Sequence, residues 1–111
     1  MTDRKPPHIS VLLREVIDIL APKDGGVYVD GTFGAGGYSR AILEAADCQV
    51  YGIDRDPFAI DMGRKMAGEF AGRLVMVEGC YADMEALLAE QDIYAVDGIA
   101  LDIGVSSMQI D

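Results

Sequence analysis

The chain has 111 residues, half of them hydrophobic and a quarter charged, with a formal net charge of −10. That length accommodates one domain with one modest core. No apolar run approaches the roughly 20 residues of a membrane-spanning helix, and the opening Met1-Thr2-Asp3-Arg4-Lys5-Pro6-Pro7 lacks the apolar segment of a signal peptide. A cytoplasmic protein is expected. Lys5, Arg14, Lys23, Arg40, Arg55, Arg64, Lys65 and Arg73 are scattered along the chain, so these residues alone build no basic nucleic-acid face. Cys48 and Cys80 form no Cys-x-x-Cys pair, and His8 is the single histidine. Reduced thiols are expected, and no metal site can be assembled from such parts.

In chain order, residues 1–7 read as a loose tail ahead of a helix capped by Ser10, with Leu12, Val16, Ile19 and Leu20 on one apolar face. Pro22 and Gly25-Gly26 end it. Val27-Tyr28-Val29-Asp30 is a short buried strand. Gly31, Gly34, Gly36 and Gly37 then make a tight turn that brings bare backbone close to a ligand. A helix follows from about Ser39 to Ala46. A second strand, Gln49 to Ile53, ends at Asp54. Asp56-Pro57 opens the next helix as a capping acid and a first-turn proline. Along it Phe58, Met62 and Met66 recur every fourth residue, the methionines as core. A third strand, Arg73–Glu78, precedes Gly79-Cys80-Tyr81, and Asp83 opens a short helix to about Glu90. The fourth strand, Val96–Leu101, ends at Asp102 and leads into a glycine-serine loop.

Strands thus alternate with helices four times, which predicts an α/β fold, the first half of a doubly wound parallel sheet with crossover helices. Residues 1–111 are expected to be the front part of a longer domain, leaving the fourth strand as an open edge available for pairing between copies.

In such sheets ligands bind outside the carboxyl ends of the strands. The turn reads Asp30-x-x-x-Gly34-x-Gly36-Gly37, and Ser39 stands where the dinucleotide fingerprint needs its third glycine. An acid at Asp30 would repel a pyrophosphate but suits a ligand carrying an ammonium and a sulfonium charge, which describes S-adenosylmethionine (SAM). Asp54 has the spacing of the acid that chelates ribose hydroxyls; a solvated strand-end acid is its other reading. Tyr81 either lies flat on an adenine ring or is a partly buried aromatic. Asp102 either meets cofactor or substrate in the same crevice or caps the following turn.

These residues also resemble a known family. His8-Ile-Ser-Val-Leu-Leu, Tyr28-Val-Asp-Gly-Thr-Phe-Gly-Ala-Gly-Gly-Tyr-Ser39, Asp54-Arg-Asp-Pro57 and Leu101-Asp-Ile-Gly-Val-Ser-Ser-Met-Gln-Ile-Asp111 are similar to the MraW/RsmH family, in its order and spacing. The resemblance implies a Rossmann-like class I methyltransferase core that uses SAM to methylate the exocyclic N4 amine of a cytidine in small-subunit ribosomal RNA. It implies cofactor contacts at Gly36, Gly37, Tyr38, Asp54, Tyr81, Asp102 and Gln109, of which Tyr38 and Gln109 come from the resemblance alone. Family members usually carry histidine at Tyr38, phenylalanine at Tyr81, and proline at Ser10 and Met108. A backbone contact survives the first change, and the aromatic face survives the second. Asp102 is the best candidate for a catalytic base. The family's RNA surface is expected mainly beyond these residues, so the chain by itself is expected to be inactive. The competing readings are a cofactor-binding or self-associating module without catalysis and a nicotinamide-dependent oxidoreductase.

Overall fold

The structure is a computed structural model that describes the backbone of residues 7–101 and 104–107 and the side chains of residues 13–101. The chain runs α1 (Pro7–Leu20), β1 (Val27–Asp30), α2 (Gly37–Ala45), β2 (Gln49–Asp54), α3 (Pro57–Glu69), β3 (Leu74–Glu78), a 3-10 turn (Tyr81–Asp83), α4 (Met84–Ala89), β4 (Gly98–Leu101) and β5 (Gly104–Ser107). The sheet order is β3-β2-β1-β4-β5. β1 pairs in parallel with both β2 and β4, and β2 with β3, so the carboxyl ends of β1 to β4 share one edge. The winding runs outward from β1 to β3 and then returns to β4 on the other side of β1. The switch point therefore falls between β1 and β4.

Side-chain alternation along the strands sorts the core into two layers. Tyr28, Val50, Leu74 and Ala100 pack with Val16 and Leu20 of α1, Ile42 and Leu43 of α2, and Ala59 and Met66 of α3. Val29, Tyr51, Ile53 and Val77 face the other way, where Leu88 of α4 covers them. The central β1 and β2 are buried on both faces and read as near-continuous apolar runs for that reason. Among the described residues, no helix is long and apolar enough to cross a membrane.

Element starts and stops have identifiable causes, some local and some from distant residues. The Asp56 carboxylate accepts from the Phe58 N–H at 2.9 Å and Pro57 occupies the first helical turn, so α3 begins as its sequence predicts. The Arg73 guanidinium donates to the Leu43, Ala46 and Cys48 carbonyls at 3.2, 3.0 and 3.2 Å, closing the carboxyl end of α2. β4 begins later than expected because Asp97 is committed to β1. Its carboxylate takes the Val27 N–H at 2.8 Å, and its own N–H donates to the Val27 carbonyl at 2.7 Å.

Other expectations are corrected. α1 begins at Pro7, so Ser10 lies inside the helix rather than at its cap; a first-turn proline gives up an N–H that has no helical acceptor anyway. On α1 the core face carries Val16, Leu20 and the half-buried Ile17, while Ile19 points to solvent. On α3 only Met66 of the expected row is buried, and Phe58 and Met62 are exposed. Steps of four residues drift by about 40° around a helix, so the core face is Ala59, Ile60, Gly63 and Met66 instead. Residues 104–107, read as loop, form β5, antiparallel to β4 with Ala100 opposite Val105. The fourth strand is therefore not an open edge.

Candidate functional site

The crevice forms where β1, β2 and β3 end. Gly31, Thr32, Ile53, Asp54, Arg55, Gly79, Cys80 and Tyr81 line a cavity of ≈ 370 Å³, within the range of small-ligand sites. Its floor and walls follow from how β1 hands over to α2. The Gly31 N–H continues the β1–β4 ladder to the Ala100 carbonyl at 2.9 Å, and the Phe33 N–H reaches the Ile53 carbonyl at 3.0 Å. Phe33 is buried beneath the loop as its apolar anchor.

Gly34 and Gly36 both take left-handed backbone, φ 54° and 86°. At Gly36 a side chain is strained by the left-handed backbone and crowded by its neighbours: a Cβ would stand 2.6 Å from the Met66 Cε and 2.8 Å from the Phe33 Cζ. Gly36 is buried, and its N–H donates back to the Phe33 carbonyl at 2.8 Å. It shapes the loop from within, whereas Gly34 and Gly37 lie on the exposed side. Gly36 also stands at the N-cap of α2, and no side chain caps that terminus. The amides of the first turn carry the positive end of the helix dipole toward the loop.

Asp54 is half-exposed at the end of β2. Its Oδ2 accepts from the Gly34 N–H at 2.8 Å and its Oδ1 from the Asp56 N–H at 2.9 Å. Each carboxylate oxygen has a second lone pair, so the amides fix the side chain without exhausting it as an acceptor. Tyr81, on the 3-10 turn after β3, keeps 40% of its surface exposed beside it. Asp30 occupies a different place from the one expected. It has no exposed surface, its Oδ1 accepts from the Thr32 N–H at 3.3 Å, and its Oδ2 from the buried Ser39 hydroxyl at 2.7 Å. It supports the cradle from below rather than lining it. Tyr38 is half-buried against the core layer of α1 and α2. Asp102 and Gln109 lie outside the described residues.

The structure thus brings Asp54 and Tyr81 to one crevice, with Gly34 tied to Asp54 through its N–H and Gly36, Gly37 and Asp30 building the rest of the loop. Sequence reasoning missed Thr32, Arg55 and Cys80 as lining residues. Arg55 had a signal, its place directly after the strand-end acid; Cys80 had none beyond preceding Tyr81. Among the described residues, no three His, Cys, Asp or Glu side chains gather to hold a metal ion.

A parallel sheet wound outward from β1 and back to β4, with its crevice at the strands' carboxyl ends, is the Rossmann-like architecture of class I methyltransferases. A solved geranyl diphosphate methyltransferase in complex with SAM shares the fold at a TM-score of 0.57 and 22% identity, over 64% of this chain and 30% of that one. The chain belongs to the MraW methylase family, which it matches over residues 5–111. It is 64% identical over 105 residues to the ribosomal RNA small subunit methyltransferase H of Parvibaculum lavamentivorans, covering 95% of this chain and 31% of that protein. The enzyme of the same description from Paramagnetospirillum magneticum is 63% identical, covered to 33%. The chain spans about a third of the length of these curated relatives.

Proposed function

We propose that the crevice binds SAM and that the protein methylates the N4 amine of a cytidine in small-subunit ribosomal RNA. The observation that carries the reading is the pre-oriented Asp54 carboxylate facing a cavity that also holds the exposed Tyr81 ring. Asp54 would accept both ribose hydroxyls on its remaining lone pairs. Tyr81 would lie against the adenine. The backbone at Gly34, Gly37 and Tyr38 and the uncapped start of α2 would receive the methionine end, whose carboxylate the helix dipole favours. Gln109 and Asp102 complete the proposed contacts. A dinucleotide fits less well, since Ser39 fills the place of the third glycine.

When bound, SAM supplies an electrophilic methyl group on a sulfonium. The chain's contribution is geometric, holding donor and acceptor in line. A cytosine amine is a weak nucleophile, so an acceptor for its proton assists the step, and Asp102 is our candidate. The target base leaves its stack to reach the crevice. The work is done on ribosomal RNA in the cytoplasm, and the RNA is held mainly by sequence beyond these residues. The names of the relatives support this substrate.

Calorimetric titration with SAM, comparing the native chain with Asp54→Ala, tests the cofactor reading. Loss of a ligand's hydrogen bonds to a charged group predicts at least about a tenfold weaker affinity. Affinity unchanged by the substitution overturns the assignment of Asp54, and absence of binding by the native protein overturns the reading itself.

A further inference from the structure

Two polar side chains, Asp30 and Ser39, are fully buried where β1 ends and α2 begins. Asp30 is the last residue of β1 and Ser39 the third of α2, so their 2.7 Å hydrogen bond spans residues 31–38 and ties the strand to the helix. Ser39 occupies the position that a dinucleotide fold fills with glycine to let helix and strand pack closely. Here the close contact is made by a hydrogen bond instead. A buried carboxyl–hydroxyl pair is a poor source of stability, because desolvation offsets most of what the bond contributes. What it does specify is one arrangement of the groups it joins.

The other half of the loop has separate pins. The Gly34 N–H on Asp54 and the Phe33 N–H on the Ile53 carbonyl fix the side that faces β2. The Thr32 N–H on Asp30 and the Ser39 hydroxyl fix the side that leads into α2. Resting on the SAM reading above, we propose that Asp30 and Ser39 are positioning residues for the amino-acid end of the cofactor. They hold the first turn of α2 and the exposed Gly37 backbone in receiving geometry, while Asp54 serves the ribose independently.

The test compares two ligands on the intact protein. S-adenosylhomocysteine carries the amino-acid end, and 5′-methylthioadenosine lacks it but keeps the adenosine and sulfur. In Ser39→Ala, affinity for S-adenosylhomocysteine falls by about tenfold, the equivalent of one well-placed hydrogen bond. Affinity for 5′-methylthioadenosine changes by less than about twofold, within the scatter expected for a group the ligand does not feel. Ser39→Cys, which keeps a weak donor, recovers part of the loss, and stands in for Ser39→Ala should that variant not fold. Equal losses for both ligands, or no loss for either, overturn the proposal. Failure of the native protein to bind either ligand is a separate result, which removes the SAM reading and this inference with it.

Discussion

At the residue scale, the two cysteines behave as opposites although the sequence presents them alike. Cys48 is buried, and its thiol sits 3.6 Å from the Ile42 carbonyl. Burial pushes its thiol up from the ordinary 9.0, with Asp47 and Asp24 adding to the rise and Arg73 opposing it. The folded protein therefore keeps this thiol neutral at a pH where the unfolded chain ionises. Its contribution to stability is complete below about pH 9 and is lost as the pH rises through the folded value. Urea midpoints measured from pH 7 to 10 should decline at the alkaline end, and Cys48→Ala should flatten that decline. Cys80 is half-exposed and lines the crevice. Iodoacetamide should modify Cys80 well before Cys48, and S-adenosylhomocysteine should slow the reaction at Cys80 alone. Equal rates for the two thiols would contradict the burial pattern.

At the element scale, the ends of the helices decide how firmly the cradle is held. α2 carries no side-chain cap at its start, which faces the loop, and is closed at its far end by Arg73. Arg73 in turn lies 5.6 Å from the Phe70 ring, with Arg40 5.5 Å from the same ring. Arg73→Met keeps the apolar stem but leaves the Leu43, Ala46 and Cys48 carbonyls without this donor. A loss of about 2 kcal/mol is expected in chemical denaturation. Gly36→Ala should cost about 2 kcal/mol or more, since alanine is strained at positive φ and its methyl meets Phe33 and Met66. The start of α3 was legible because Asp56-Pro57 is a local signal, complete within two residues. The face of α3 was not, because which row of side chains meets the sheet depends on how the helix is laid across β2 and β3.

At the scale of the whole molecule, the central strands are covered on both faces while the periphery is not. β1 and β2 lie between two core layers, and Val29, Val50 and Ile53 have no exposed surface. Their amides should exchange with deuterium most slowly, and those of β5 at the sheet edge most rapidly. The net charge of −10 opposes approach to a phosphate backbone. Ribosomal RNA should bind this 111-residue chain far more weakly than it binds a full-length relative, by fluorescence polarisation at near-physiological salt. Methylation of RNA by the 111 residues alone would contradict the assignment of the RNA surface to sequence beyond them.

The alternation of strands and helices, the glycine turn, and Asp54 as the acid beside it are all legible in the order of residues. The elements are encoded over a few neighbouring residues, by β-branched runs, by glycines at a bend and by Asp56 ahead of Pro57. Asp54 is marked by its strand-end place and its spacing from the glycine turn. That Asp30 lies beneath the loop, that Arg55 and Cys80 share the crevice with Tyr81, and that β5 covers β4 emerge from the fold. Each of these depends on which surface a residue turns toward once distant segments meet. Asp30 and Ser39, nine positions apart, become partners because β1 and α2 fold back on each other. A bond made across a turn is decided by the path of the whole chain, and no local pattern carries it.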